Sequence, residues 1–393
     1  MQLMQRKPPP RGFDTVEFEK RTARLQRLMR ERQLDAVLLT TEPNVRYITG
    51  FFTQFWHSPT RPWFCLVPAE GKPVAVIPGI GAAGMAQTWI EDIRTWQSPC
   101  PEDDGISLLT QAIKELPSKF GRVGMTLGPE SHLRMPASNF ARLAKEIAPN
   151  QMVDCAHMIL YLRSIKSEAE IDKIRFACLI ASDAYEALPE KCGIGDSERE
   201  ICQKLRMDML ARGADNSPFL VGGSNKGGYD DIIMGPKDRV PEAGDVMIID
   251  TGTLYDGYYC DFDRNYAFGS IDEKTRRAHE VVWDATEAGF TAARAGATTT
   301  DLYKAMWFVM EAGGALGNDV GRLGHGLGME LTEWPSNTES DNTVLEPGMV
   351  MTLEPGMLFA PGRMLVHEEN IVIREEGAEL LTIRAPREMW VIS

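Results

Sequence analysis

The chain has 393 residues, 43% hydrophobic and 25% charged, enough to bury a large core and, by ordinary domain sizes, to form two domains. Lys and Arg number 42 against 56 Asp and Glu, a net charge of −14, so neither nucleic acid nor an anionic membrane surface is expected as the main partner. The seven cysteines contain no C-x-x-C pair, which argues against a disulfide framework or a thiolate zinc site and fits a reducing cytoplasm.

The N-terminal MQLMQRKPPPRGF lacks the apolar run of an export signal, and no later stretch offers ~18 uninterrupted apolar residues, so no membrane span is expected. Residues 15–34 carry a helical spacing at Phe18, Leu25, Leu28 and Met29, followed by DAVLLT as a buried strand. NVRYITGF reads as a further strand, and PWFCLVP with PVAVIP as a hairpin around Ala-Glu-Gly-Lys. Helices are predicted over 105–116 and 136–147, with RVGMTL a strand between them. Residues 1–155 therefore read as an α/β domain.

A second domain, 156–393, follows. Ser167 with Glu170 three residues on predicts a capping box opening a long amphipathic helix. A second helix is predicted over 197–212, and GGSNKGGYDD reads as a loop at a pocket mouth. It is not a phosphate loop, because it lacks the GK[ST] ending and the strand-to-helix setting. VMIIDTGTLYDGYYCDFDRNYAFG, 246–269, then reads as a β-hairpin. A two-residue loop at Tyr255-Asp256 would pair Asp250 with Asp261. Cross-strand partners stand ~4.5–5.5 Å apart at Cβ, so two like charges there must be offset, most simply by a shared cation. Helices near 275–294 and 299–312 precede returning strands around Met349 and Leu365, giving an α+β second half.

Three later segments supply ligand-type residues: His325 between glycines in GRLGHGLG, Glu354 ending VMTLEPG, and Glu368 within MLVHEENIVI. A loop at Ala360-Pro361-Gly362 pairs Glu354 with Glu368, a second cross-strand acid pair. Taken singly, each acid reads as a solvated edge charge or turn former. Together, with apolar flanks that predict burial, they form an oxygen-rich, one-imidazole set, since buried unpaired carboxylates are too costly to keep.

These motifs, DTG at Asp250, GYYCDFDR at Asp261, GHGLG at His325, TLEPG at Glu354 and EENIVI at Glu368, resemble the pita-bread family of creatinase, prolidase, aminopeptidase P and methionine aminopeptidase. LRSIKSEAEIDKIR looks like that family's first catalytic-domain helix, and NVRYITGF like its N-terminal domain. The resemblance implies an α+β fold, a creatinase-like α/β N-terminal domain followed by a pita-bread domain of antiparallel strands flanked by helices. It also implies a homodimer and two divalent metal ions held by Asp250, Asp261, His325, Glu354 and Glu368, with Asp261 and Glu368 bridging. Carboxylates plus one imidazole accept Mn, Fe, Co or Zn. Two such cations acidify a shared water and stabilise the oxyanion formed on attack, with Glu354 as proton acceptor.

The sequence departs from the proline-type peptidases it resembles. Their substrate-contacting histidines correspond to Ile233, seventeen residues before Asp250, and Thr332, seven after His325; their arginine before the last Glu corresponds to Val366. The expectation is therefore C–N hydrolysis in a small non-peptide amide or cyclic amidine, as in creatinase or ectoine hydrolase. The alternatives are an Xaa-Pro dipeptidase and a dimethylsulfoniopropionate lyase-like enzyme. Asp263 shares the strand face of Asp261 and reads either as a third catalytic acid or as the partner of Arg264 or a neighbouring Lys. Phe52, Trp56, His57 and Trp63 in FFTQFWHSPTRPWF read either as a specificity wall or as a buried contact, and Thr332 as a substrate contact.

Overall fold

The Ser167 hydroxyl accepts the Glu170 N–H at 3.4 Å while the Glu170 carboxylate accepts the Ser167 N–H at 2.9 Å, so the predicted capping box opens the helix Glu168–Ala187. In the computed structural model, which describes residues 6–317 and 321–393, the chain divides just before this helix. Pro10–Arg163 forms one unit; Ser164–Ser393, with the segment up to Pro9, forms the other.

The first unit is an α/β layer. Its six-stranded sheet runs Asp92–Trp96, Val74–Pro78, Phe64–Pro68, Ala36–Leu39, Arg122–Met125, Gln151–Asp154. The predicted hairpin is present, with Cys65 opposite Ala75. The helices Thr15–Arg32, Ile106–Glu115 and Ala137–Glu146 lie where the apolar spacing predicts them. One prediction fails: NVRYITGF is not a strand, because Glu42–Thr49 is a helix. Its β-branched residues are overridden by end signals. Glu42 and Pro43 occupy the first turn, and Gly50 stops the helix in the left-handed region at φ 75.

The second unit is α+β. One five-stranded sheet contains Trp390–Ile392, Phe262–Phe268, Asp245–Tyr255 and Asn216–Lys226 in that order, with Tyr258–Tyr259 added to Asp245–Tyr255. The other runs Glu333–Ser336, His325–Gly326, Val350–Leu353, Glu369–Ile373, Ala378–Leu380, and Gly356–Ala360 pairs separately with Arg363–Val366. The predicted loop GGSNKGGYDD is a loop only in its later half, because Gly222–Lys226 belongs to a strand. Gly222 pairs with Ile249, and a Cβ there would meet the Cys202 sulfur at 3.0 Å, so close packing explains this glycine.

The unit's core gathers Val246 and Ile248 with Val282, Leu302, Met351 and Ile371. Side chains alternate along a strand, so Asp250 lies on the same face as Val246 and Ile248. The core-facing stripe thus turns acidic at its end, where the site begins. Among the described residues no helix is long and apolar enough to cross a membrane.

Candidate metal centre

The loop of the first hairpin is Asp256-Gly257, both at positive φ (47 and 83), with Tyr255 paired to Tyr258 and Leu254 to Tyr259. This two-residue turn suits the strand twist. It corrects the predicted register by two residues: Asp250 pairs with Asp263, not Asp261. Gly252 stands opposite Asp261 in the same register. Because the slip is even, Asp250, Asp261 and Asp263 still share one face.

The second hairpin holds the predicted register. Leu353 pairs with Glu369 and Gly356 with Val366, which sets Glu354 opposite Glu368 between them. The His367 N–H donates to the Pro355 carbonyl at 3.3 Å, closing the gap between the two ladders.

His325 enters between these hairpins. Gly324 at φ +121 packs so tightly that a Cβ would lie 2.2 Å from the Thr352 carbonyl oxygen; at Gly326 it would lie 2.5 Å from that of Trp334. The His325 N–H donates to Thr352 Oγ1 at 3.1 Å. Asp261 is clasped by Asn370, whose Oδ1 accepts the Asp261 N–H at 2.9 Å and whose amide donates to the Asp261 carbonyl.

Asp250, Asp261, His325, Glu354, Glu368 and Thr332 line one cleft of about 510 Å³, whose described lining residues belong to the second unit. Ligand atoms of Asp261, His325 and Glu368 lie within 4.8 Å of one another. His325 Nδ1 stands 2.8 Å from the Gly326 carbonyl, which accepts only, so Nδ1 carries the proton. Burial lowers the His325 pKa to about 4, leaving the ring neutral, and Nε2 then presents a lone pair to Asp261 Oδ2 at 3.4 Å. Two lone pairs aimed at each other repel unless a cation, or a proton in its place, lies between them. Asp250 Oδ1 and Glu368 Oε1 are buried without hydrogen-bond partners. This donor set fits divalent cations.

Burial raises the pKa of Asp250 to about 7 and, with Asp250's charge adding, that of Glu354 to about 8. Asp261 and Glu368 are pushed well up by burial and then by the neighbouring carboxylates. Without cations these groups hold protons in their place.

Asp263 does not line the cleft. Its side chain is not the partner of Arg264 either: that guanidinium donates to the Asp263 carbonyl at 2.7 Å, the Glu368 carbonyl at 2.8 Å and Glu369 Oε2 at 3.0 Å. Phe52, Trp56, His57 and Trp63 all belong to the first unit. Trp56 and Trp63 are buried there with ring centroids 6.0 Å apart, and Arg134 donates to the Trp56 carbonyl at 3.0 Å. Phe52 is 52% exposed, and His57 is exposed. Sequence reasoning missed Arg322, which lines the cleft three residues before His325. Its only signal is a basic residue in a glycine-rich, otherwise uncharged stretch.

The model of metallopeptidase family M24 matches residues 172–375, over half the chain. The chain belongs to metallopeptidase family M24. The creatinase/prolidase N-terminal domain model matches residues 21–165. Among M24 relatives, an Xaa-Pro dipeptidase of Pyrococcus horikoshii is 31% identical over 90% of this chain and 94% of its own length. An uncharacterized peptidase of Bacillus subtilis, YqhT, is 29% identical over 94% and 99%. The crystal structure of dipeptidase PepE from Mycobacterium ulcerans superposes with a TM-score of 0.84 at 25% identity, covering 97% of this chain and 99% of that one. The pita-bread fold and the metallohydrolase class expected from the motifs are thereby established. The M24 relatives are peptidases by name, which favours the dipeptidase alternative over the expected non-peptide amide.

Proposed function

We propose that this cleft hydrolyses the C–N bond of Xaa-Pro-type dipeptides, using two divalent cations that Asp250, Asp261, His325, Glu354 and Glu368 would hold. The observation that carries this reading is the His325 Nε2 lone pair facing Asp261 Oδ2 at 3.4 Å, with Glu368 in the same group. The dipeptidase names borne by relatives that match along most of the chain support the substrate class. A cleft of about 510 Å³ suits a small molecule.

When bound, the cations polarise the scissile carbonyl and acidify the attacking water. The chain's own part is positioning and proton handling. Glu354, a cleft-lining carboxylate that a bound cation would hold ionised, would accept a proton from that water and pass it to the leaving amine. The Gly326 carbonyl fixes the His325 ring and its tautomer. Asn370 holds the backbone of Asp261. The ligand types accommodate Mn, Fe, Co or Zn.

Metal analysis of the purified protein, with assays of proline release from an Xaa-Pro panel beside cyclic amidines, tests the proposal. Bound divalent metal, proline release and its loss in Asp261→Ala are expected. A metal-free active protein, or full activity in Asp261→Ala, overturns the mechanism. A second reading, hydrolysis of a small non-peptide amide, rests on Ile233 and Thr332 in the cleft lining and buried Val366, where the peptidases resembled carry histidine, histidine and arginine. Turnover of cyclic amidines with dipeptides inert would select it.

A further inference from the structure

We infer that Arg322 is the specificity residue of this cleft, recognising a free carboxylate on the substrate; the assignment rests on the dipeptidase reading above. Apart from His325, Arg322 is the one basic side chain among the described residues lining the cleft. Arg322 is half-buried, and a guanidinium partly withdrawn from water normally pairs with a carboxylate or with several carbonyls. Arg264, in the same unit, shows that full complement: three carbonyls and the Glu369 carboxylate, all at 2.7–3.0 Å.

Among the described residues Arg322 has nothing comparable. Nη2 donates to Thr332 Oγ1 at 3.3 Å and Nη1 to Ser336 Oγ at 3.5 Å, two long contacts to neutral hydroxyls. No carboxylate among the described residues forms an ion pair with it, although the same cleft is lined by Asp and Glu. Five N–H donors in a rigid fork, two of them weakly used, leave a bidentate face for an incoming anion.

Its position fits that use. Arg322 lines the same cleft as Asp261, His325 and Glu354, three residues before His325 in the chain. A dipeptide that offers its scissile carbonyl at that centre carries its terminal carboxylate only a few bonds away. Arg322 is the donor within the lining that matches it in charge and shape. Thr332 then has an indirect part: its hydroxyl orients Arg322, where sequence reasoning gave it direct contact.

The test uses metal-loaded full-length protein, as wild type, Arg322→Met, Arg322→Gln and Arg322→Lys, each checked for metal content and melting temperature. Calorimetry compares N-acetylproline with N-acetylprolinamide, which differ only in the carboxylate. The wild type should bind the acid about 10- to 100-fold more tightly, the range for a charge-assisted pair. Arg322→Met and Arg322→Gln should bind the two alike, and Arg322→Lys should keep part of the preference. For an Xaa-Pro dipeptide, Arg322→Met should raise KM by a similar factor with kcat within about threefold.

A wild type without the preference, or variants that keep it, overturns the assignment. So does a loss confined to kcat, which would make Arg322 a stabiliser of the developing oxyanion. The two proposals separate cleanly. If no dipeptide is cleaved yet the acid preference exists and vanishes in Arg322→Met, the dipeptidase reading falls and Arg322 stands. If dipeptides are cleaved and the variants discriminate as the wild type does, the reverse holds.

Discussion

Asp250, half-buried, faces the fully buried Asp263 across the first hairpin, with further acids around them. Asp263 lies outside the cleft lining, and burial followed by the Asp250 charge pushes its pKa well up. A protonated acid there relieves the cross-strand repulsion, and asparagine is its neutral isostere. Asp263→Asn should therefore retain metal content and keep kcat/KM within about fivefold, the effect of one altered neutral hydrogen bond. Asp261→Asn, which weakens a donor facing His325 Nε2, should release metal and lose activity by at least about 100-fold. Metal analysis with steady-state kinetics on both variants decides; equal losses would place Asp263 in the machinery.

The contrast between the two hairpins shows what was legible. Pro361-Gly362 marked the second turn well enough to set Glu354 opposite Glu368. In the first, Asp256-Gly257 were themselves the two loop residues, since both adopt positive φ, and reading Tyr255-Asp256 as the loop displaced the register. The faces survived because side-chain alternation has a period of two, so the acids stayed together despite the slip. The helix Glu42–Thr49 was lost to its β-branched composition, and Arg322 because a lone cation in a glycine-rich loop has no periodicity to place it.

Glycines around His325 are structural requirements. Gly324 combines φ +121 with a backbone oxygen 2.2 Å from any Cβ, and that oxygen belongs to a sheet strand that cannot swing aside. Gly324→Ala should destabilise the protein by on the order of 3 kcal/mol and displace His325. Gly321→Ala, also at positive φ but with nothing within 4 Å of its Cβ, should have the smaller effect. Denaturant titration together with metal retention on the two variants tests the difference; equal destabilisation would show that strain, not the clash, dominates.

Arg264 ties the strand carrying Asp263 to the one following Glu368. Its guanidinium and the Glu369 carboxylate, 3.0 Å apart, are both essentially unexposed. Removing one member leaves a buried charge uncompensated, about 3–5 kcal/mol, whereas replacing both with apolar groups can approach neutrality. Arg264→Met should lower stability strongly and weaken metal retention through the Glu368 carbonyl it no longer holds. The double variant Arg264→Met/Glu369→Leu should recover at least about 1 kcal/mol relative to Arg264→Met, measured as a double-mutant cycle in urea. Simple additivity would mean that the pair is not coupled.

Protons and cations compete for the same carboxylates, which fixes the sign of the pH dependence. The folded-state pKa values of Asp250 and Glu354 are raised from 3.8 and 4.5 to about 7 and about 8, burial being the largest cause in both. Between pH ~4 and ~8 the metal-free native protein then binds more protons than the unfolded chain. Their contribution to stability, on the order of a few kcal/mol, is fully present below pH ~4 and is lost as pH rises through ~7–8. Bound divalent cations replace those protons, so metal affinity should strengthen as pH rises over this window, and metal uptake should release protons. Urea titrations of chelated and Mn-loaded protein at about pH 5, 6.5 and 8 should show the stabilisation by metal growing with pH. A gap that narrows toward pH 8 would exclude these carboxylates as the cation's ligands.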